Sequence, residues 1–283
     1  MFTYNPFSEL TAFISPIAMQ VYVVVMFLLV VVGTLLDVMH KKSAKYFFEN
    51  AQAAQKIAKR KIGGGEKAAM AVKTLTSEVL TSSEFDNQKR RLSHLFTMYG
   101  FVLFVVTTAV LIFAYPTADT PAPQIVPLLW HLGALALCIG GYWFWFGIRA
   151  DVFAEGKKWY HLVRADMFIV SLLAMATFAL IWSILQSSGV AGWDKLFFAL
   201  FILSATFLFS TVLWSKFAHM FFKPAAAFQK RVIKADGSRE KLPPDFDLTD
   251  PEVQAMYPDV PEYMGKNPPN MGLGIKREAP NHY

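Results

Sequence analysis

The sequence predicts an all-α integral membrane protein with five transmembrane helices, a helical loop on the cytoplasmic face and an extended C-terminal tail. Five apolar stretches, at 13–38, 92–115, 125–148, 166–187 and 194–218, are each long enough to cross a hydrocarbon core of roughly 30 Å as a helix. Threading them alternately places every Lys and Arg except Lys195 on one side, in the 39–91 loop, the 149–165 loop and the tail from Lys216 onward. By the positive-inside rule that side is cytoplasmic, so the N-terminus and the short loops 116–124 and 188–193 face outward.

Composition supports one membrane domain with appendages. Of 283 residues, 54% are hydrophobic, enough for a helical bundle in lipid but leaving little for a second folded domain. The net charge of +6 sits beside the spans, where it sets topology and meets anionic lipid rather than nucleic acid. The single cysteine, Cys138, lies within the third span, so the chain alone holds no iron–sulfur cluster, cysteine zinc site or disulfide. The start, MFTYNPFSEL, lacks the basic region of a cleavable signal, and the first span reads as a retained anchor.

In chain order, residues 1–38 are the first span with its outward N-terminus, and 39–91 are a basic loop of two helices broken at Gly63, Gly64 and Gly65. The first of these, around 44–61, mixes Tyr46, Phe47, Phe48 and Ile57 with lysines, as an amphipathic helix at the headgroup level or a solvated connector would. Residues 92–223 form a four-helix bundle, because the connections TADTPAPQ and SSGVAGW are short enough to force antiparallel neighbours. The first span packs outside or against it. Residues 224–283 hold nine prolines and many charges and read as an extended cytoplasmic tail. Its acidic middle, with Phe246, Tyr257 and Tyr263, is either disordered or a strap docked on a soluble subunit.

The spans carry almost no charge at mid-depth, since Asp37, Asp166 and Asp194 all lie at span ends, which argues against an ion pump. No nucleophile–base pair, metal run or phosphate loop appears. The histidines remain, because neutral imidazole is a common axial ligand of haem iron in a lipid bundle. His40, His94, His161 and His219 fall at cytoplasmic span ends, and His282 is in the tail. His94 and His219 share a depth and have Arg91 and Lys216 nearby as partners for propionates or a reduced quinone; ordinary headgroup contacts explain them equally. His131 lies about 9 Å in from the outer end of span three. It is open to a role as a single ligand, a donor to a quinone carbonyl, or a polar contact with a residue such as Thr107 or Thr108. Gly133, Gly140, Gly141 and Gly147 on that span admit either a flat cofactor or another helix.

The strings LSHLFTMYGFVL, WHLGALALCIGG, RADMFIVSLLAMAT and STVLWSKFAHMFFKPAAAF, in that order on successive spans, resemble the membrane part of quinone-interacting oxidoreductase and heterodisulfide-reductase-type complexes, relatives of the nitrate reductase gamma subunit. More specifically, the chain is similar to the membrane anchors that accompany dissimilatory adenylylsulfate reductase in sulfur-oxidising bacteria, over roughly residues 90–228. The resemblance implies a five-helix bundle in the bacterial inner membrane that passes electrons between a cytoplasmic flavin and iron–sulfur enzyme, here adenylylsulfate reductase, and the quinone pool, often through b haems. Nitrate reductase relatives draw two histidines from each of two helices. Here span two offers only His94 and span five only His219, so that pattern leaves ligands for one haem b at most. The expectation is a membrane anchor and electron-transfer subunit with quinone as cofactor. A cofactor-free scaffold that recruits a soluble enzyme, and a small-molecule or ion carrier, are the alternatives.

Overall fold

The protein is described by a computed structural model covering residues 2–40, 43–83, 85, 87–149, 156, 158–190, 192–212, 219–239 and 250–256. Among these residues every regular element is helical. A 3-10 turn at Ser8–Ala12 precedes α1 (Pro16–His40), α2 (Ser43–Lys56) and α3 (Gly64–Thr74), which runs into a π-helical turn at Leu75–Leu80. Then come α4 (Gln88–Ala114), α5 (Ile125–Gly147), α6 (Met167–Ser187, opened by a 3-10 turn at Arg164–Asp166), α7 (Trp193–Ser210), α8 (His219–Ala235) and a short α9 (Pro251–Met256). Five of these, α1 and α4 to α7, are long and apolar enough to cross a membrane.

Consecutive long helices run antiparallel, so the bundle has two ends. Residues 2–12 lie over one, here the capped end; α2, α3 and α8 gather at the other, the basic end. The α4–α5 hairpin is packed backbone to backbone. A Cβ on Gly100 would lie 2.4 Å from the Leu137 nitrogen, one on Gly133 2.7 Å from the Phe104 nitrogen, and one on Gly140 2.6 Å from the Ser93 carbonyl oxygen. Gly133 and Gly140 of span three therefore admit a helix, α4, as small residues do where helices associate without a hydrophobic driving force, whereas Gly141 faces Leu173 of α6 and Gly147 the Trp143 side chain of its own helix. The Ser93 hydroxyl donates to the Gly140 carbonyl at 2.8 Å across the same seam.

α1 touches the bundle along one edge, burying Met19, Met26, Gly33 and Asp37, a spacing close to seven that keeps one narrow seam inward. Its Gln20 amide donates to the Ile112 carbonyl on α4, and the Tyr22 hydroxyl bonds Thr206 on α7, so α1 closes the gap between those helices. Toward the capped end the core is aromatic. Phe7 meets the edges of Trp130 and Trp182 at ring-centre separations of 5.7 and 5.2 Å, and Trp182 stacks on Phe201. Asn5 ties the N-terminal segment down by donating to the Tyr115 carbonyl at 2.9 Å.

Two expectations are revised. The fifth span does not run as one helix to 218: α7 ends at Ser210, where Thr211 and Val212 form a turn. Thr211 donates its hydroxyl back to the Phe207 carbonyl at 2.7 Å, as Thr107, Thr108 and Thr206 do to carbonyls four residues earlier inside their helices. Second, residues 224–235 are helical rather than extended, with Pro224 inside α8. A proline there costs about 3 kcal/mol, which packing of α8 against α2 and α3 offsets. The end of α8 is clasped by the α2–α3 connection. Backbone N–H groups of Lys59 and Arg60 donate to the Asp236 carbonyl at 2.9 and 3.2 Å, and the Arg60 guanidinium donates to the Ala235 carbonyl at 2.7 Å. Those carbonyls would otherwise be orphaned by the helix end. The Glu66 carboxylate, bonded by Arg60, pushes that guanidinium's pKa above its ordinary value.

Candidate functional site

The basic end of α4 is built around an elbow, described at residues 75–83, 85 and 87. Asn87 caps the helix by accepting from the backbone N–H groups of Lys89 and Arg90. Lys89, Arg90 and Arg91 then follow in the first turn, where cations oppose the helix dipole at about 0.3–1 kcal/mol each. The elbow offsets this. Arg91 Nε donates to the Thr81 carbonyl at 2.7 Å, the Tyr99 hydroxyl donates to the Leu80 carbonyl at 2.6 Å, and the Arg90 guanidinium lies 5.7 Å from the Phe85 ring centre. Side chains of α4 thus satisfy the last carbonyls of the π-helical turn.

Ser82 closes that turn in the left-handed region, at φ 47, although it carries a Cβ. The conformation costs roughly 1–2 kcal/mol and places the buried hydroxyl 3.0 Å from Nδ1 of His94. The Phe85 ring packs against the imidazole with centres 5.0 Å apart, and Nζ of Lys223, from α8, lies 5.1 Å from the Phe85 centre. His94, Arg90 and Lys223 are therefore gathered around one aromatic ring at the edge of the apolar bundle.

The predicted site residues separate accordingly. His94 and Arg91 belong to this elbow. His219 opens α8 at the same end, one turn before Lys223, rather than closing the fifth span; its side chain and the whole of Lys216 lie outside the described residues. His131 sits at the capped end, away from the other candidates. Its Nδ1 is 2.7 Å from the Pro127 carbonyl, which can only accept, and its Nε2 is 2.8 Å from the Ser183 hydroxyl. Phe2 covers the ring edge-on. His131 is thus a polar contact between α5 and α6, and its partner is Ser183 instead of Thr107 or Thr108. Thr108 accepts from the Trp130 indole at 2.8 Å, and Thr107 turns back to the Leu103 carbonyl.

A further group is the knot between α5 and α6. Arg149, 3% exposed, is bonded through two nitrogens to both carboxylate oxygens of Asp166, 8% exposed. The same guanidinium donates to the His161 carbonyl at 2.6 Å and lies 4.3 Å from the Trp145 ring centre, and Asp166 accepts from the Val163 N–H at 2.9 Å. The sequence shows an Arg and an Asp at the two ends of one loop, a signal that marks the pair only once the loop is known to close. Nothing in the sequence marks Ser82 or Ser183.

The fold defines a class, a helical protein with five helices of membrane-spanning length and composition and a cationic elbow at one end. No protein-family model, no curated protein and no solved structure matches the chain.

Proposed function

We propose that the chain is a membrane anchor and electron-transfer subunit of the bacterial inner membrane, linking a cytoplasmic flavin and iron–sulfur oxidoreductase, adenylylsulfate reductase of sulfur oxidation, to the quinone pool. The basic end is cytoplasmic and the capped end faces outward. The observation that carries this proposal is the elbow at His94, together with the likeness of the four span sequences to such anchors. Electrons released when sulfite and AMP form adenylylsulfate would reach quinone beside His94 and His219. Arg91 and Lys216, with Arg90 and Lys223 around Phe85, supply a positive field that favours the negative charge developing on a reduced quinone oxygen.

The elbow also suits one b haem, which when bound would carry single electrons between the partner and quinone. His94, whose Nδ1 lies 3.0 Å from the Ser82 hydroxyl, would supply one ligand, its ring oriented by that partner. His219 would supply the other ligand. A reduced minus oxidised visible spectrum of the purified chain tests the haem. Bands of b type at about one haem per chain, lost in His94→Ala, support it. Without such bands, the anchor brings a partner's own redox centre to quinone. Unchanged quinone reduction in membranes bearing His94→Ala with His219→Ala would remove the site altogether.

A cofactor-free scaffold is the second proposal. It is favoured by Gly133 and Gly140 of α5, against which α4 packs, and by His131, which Ser183 engages.

A further inference from the structure

The segment from Gly64 to Leu80, α3 and its π-helical turn, has two unlike faces. One is turned to the protein, where Thr74 is buried and Ser77 and Glu78 accept from Arg231 of α8 at 2.8 and 2.6 Å. The other carries Val72, 60% exposed, Leu75, 53% exposed, and Leu80, in a row with Ala68 and flanked by the exposed Lys67 and Lys73. Such a row is costly in water, at about 25 cal/mol per Å² of apolar surface.

The position of this row says what covers it. Tyr99, whose hydroxyl holds the Leu80 carbonyl, stands on the outward face of α4, beside the exposed Leu92, Phe96 and Val102. That face is part of a helix long and apolar enough to span a membrane. The end of the π-helical turn is therefore tied to the flank of a span, Leu80 by Tyr99 and Thr81 by Arg91, so its apolar row starts at the surface that the span presents to lipid. Lys67 and Lys73 border the row as lysines border interfacial helices.

We infer that Gly64–Leu80 is a monotopic membrane segment, lying in the interface of the bilayer with Val72, Leu75 and Leu80 in the acyl boundary and Lys67 and Lys73 at the level of anionic phospholipid headgroups. The Tyr99–Leu80 bond sets its depth. This inference needs the five apolar helices to lie in a bilayer, but not the redox role proposed above, so a chain without haem or quinone activity would still show it.

The test uses the full chain in lipid nanodiscs, with the environment-sensitive fluorophore NBD on single introduced cysteines, Val72→Cys or Leu75→Cys. Both positions are exposed, and the unsubstituted chain, whose Cys138 is buried, serves as the labelling blank. Val106→Cys, on the exposed face of α4, is the lipid reference, and Asp119→Cys, in an exposed turn, the aqueous one. Expected are a blue-shifted emission and several-fold weaker iodide quenching at 72 and 75 than at 119, with strong quenching by lipids nitroxide-labelled near the headgroup. Replacing Lys67 and Lys73 with Gln should weaken the dependence of that signal on anionic lipid. Iodide quenching equal to that at 119 would overturn the inference. So would protection from iodide without quenching by labelled lipid, which would mean that a second copy of the chain covers the row.

Discussion

The hydroxyl of Ser82, held at a left-handed backbone position, lies 3.0 Å from Nδ1 of His94, so a strained elbow residue sets the orientation of the imidazole at the basic end of α4. Strain and hydrogen bond can be separated by substitution. Ser82→Gly removes the strain together with the hydroxyl, whereas Ser82→Ala removes the hydroxyl alone. Thermal unfolding in detergent should rank glycine above alanine by about 1 kcal/mol. Any haem absorbance or quinone reduction that depends on His94 should fall alike in both.

Arg149 and Asp166 form a buried pair that holds the carbonyl of His161. Arg149→Ala would leave a carboxylate buried without its partner, and a loss of about 3–5 kcal/mol is expected. Arg149→Met combined with Asp166→Leu should lose much less, because no charge is then stranded. Chemical or thermal denaturation of the two variants side by side measures the difference; equal losses would mean that the pair is not desolvated.

His131 and Ser183 join α5 and α6 at the capped end. In a double-mutant cycle, His131→Ala and Ser183→Ala should couple by about 0.6 kcal/mol, and by no more than about 2 kcal/mol, as hydrogen bonds between membrane helices do. Neither change should alter a haem spectrum. A spectral loss in His131→Ala with Ser183→Ala silent would show a ligand role instead.

Glycines divide into two kinds. Alanine at Gly100 or Gly140 places a Cβ 2.4 to 2.6 Å from the backbone of the facing helix, which cannot swing aside as a side chain can. Destabilisation of at least about 1–3 kcal/mol is expected, with the α4–α5 hairpin splayed. At Gly64, the first residue of α3, a Cβ meets nothing within 4 Å, and alanine there should be neutral or stabilising by up to about 1 kcal/mol. Melting temperatures of the three variants decide it.

Much of the architecture is legible in the chain itself. Five apolar runs of spanning length and the near-complete sorting of basic residues to one side need no tertiary information, since the hydropathy of a segment and the charge beside it are local sums. The same locality explains what was missed. The run 194–218 is apolar along most of its length, so no window registers the turn at Thr211. Pro224 reads as a helix breaker, and only packing on α2 and α3 keeps α8 helical around it. The glycines of α5 are visible as a small-residue stripe, but whether a helix or a cofactor fills it is decided by what lies opposite.

The candidate residues show the same division. His94 and His131 stand out in the sequence as imidazoles near opposite ends of apolar spans, and that placement follows from span boundaries alone. Their partners do not, because Ser82 is twelve residues and Ser183 fifty-two residues away along the chain, and serines are common in such sequences. The sequence by itself determined the helical class, the number of helices long enough to cross a bilayer and the end at which positive charge collects. Tertiary structure alone decided which groups His131 meets, which carboxylate meets Arg149, and that the end of the π-helical turn is tied to α4 by Tyr99, because each depends on distances between segments that no local sum of hydropathy or charge contains.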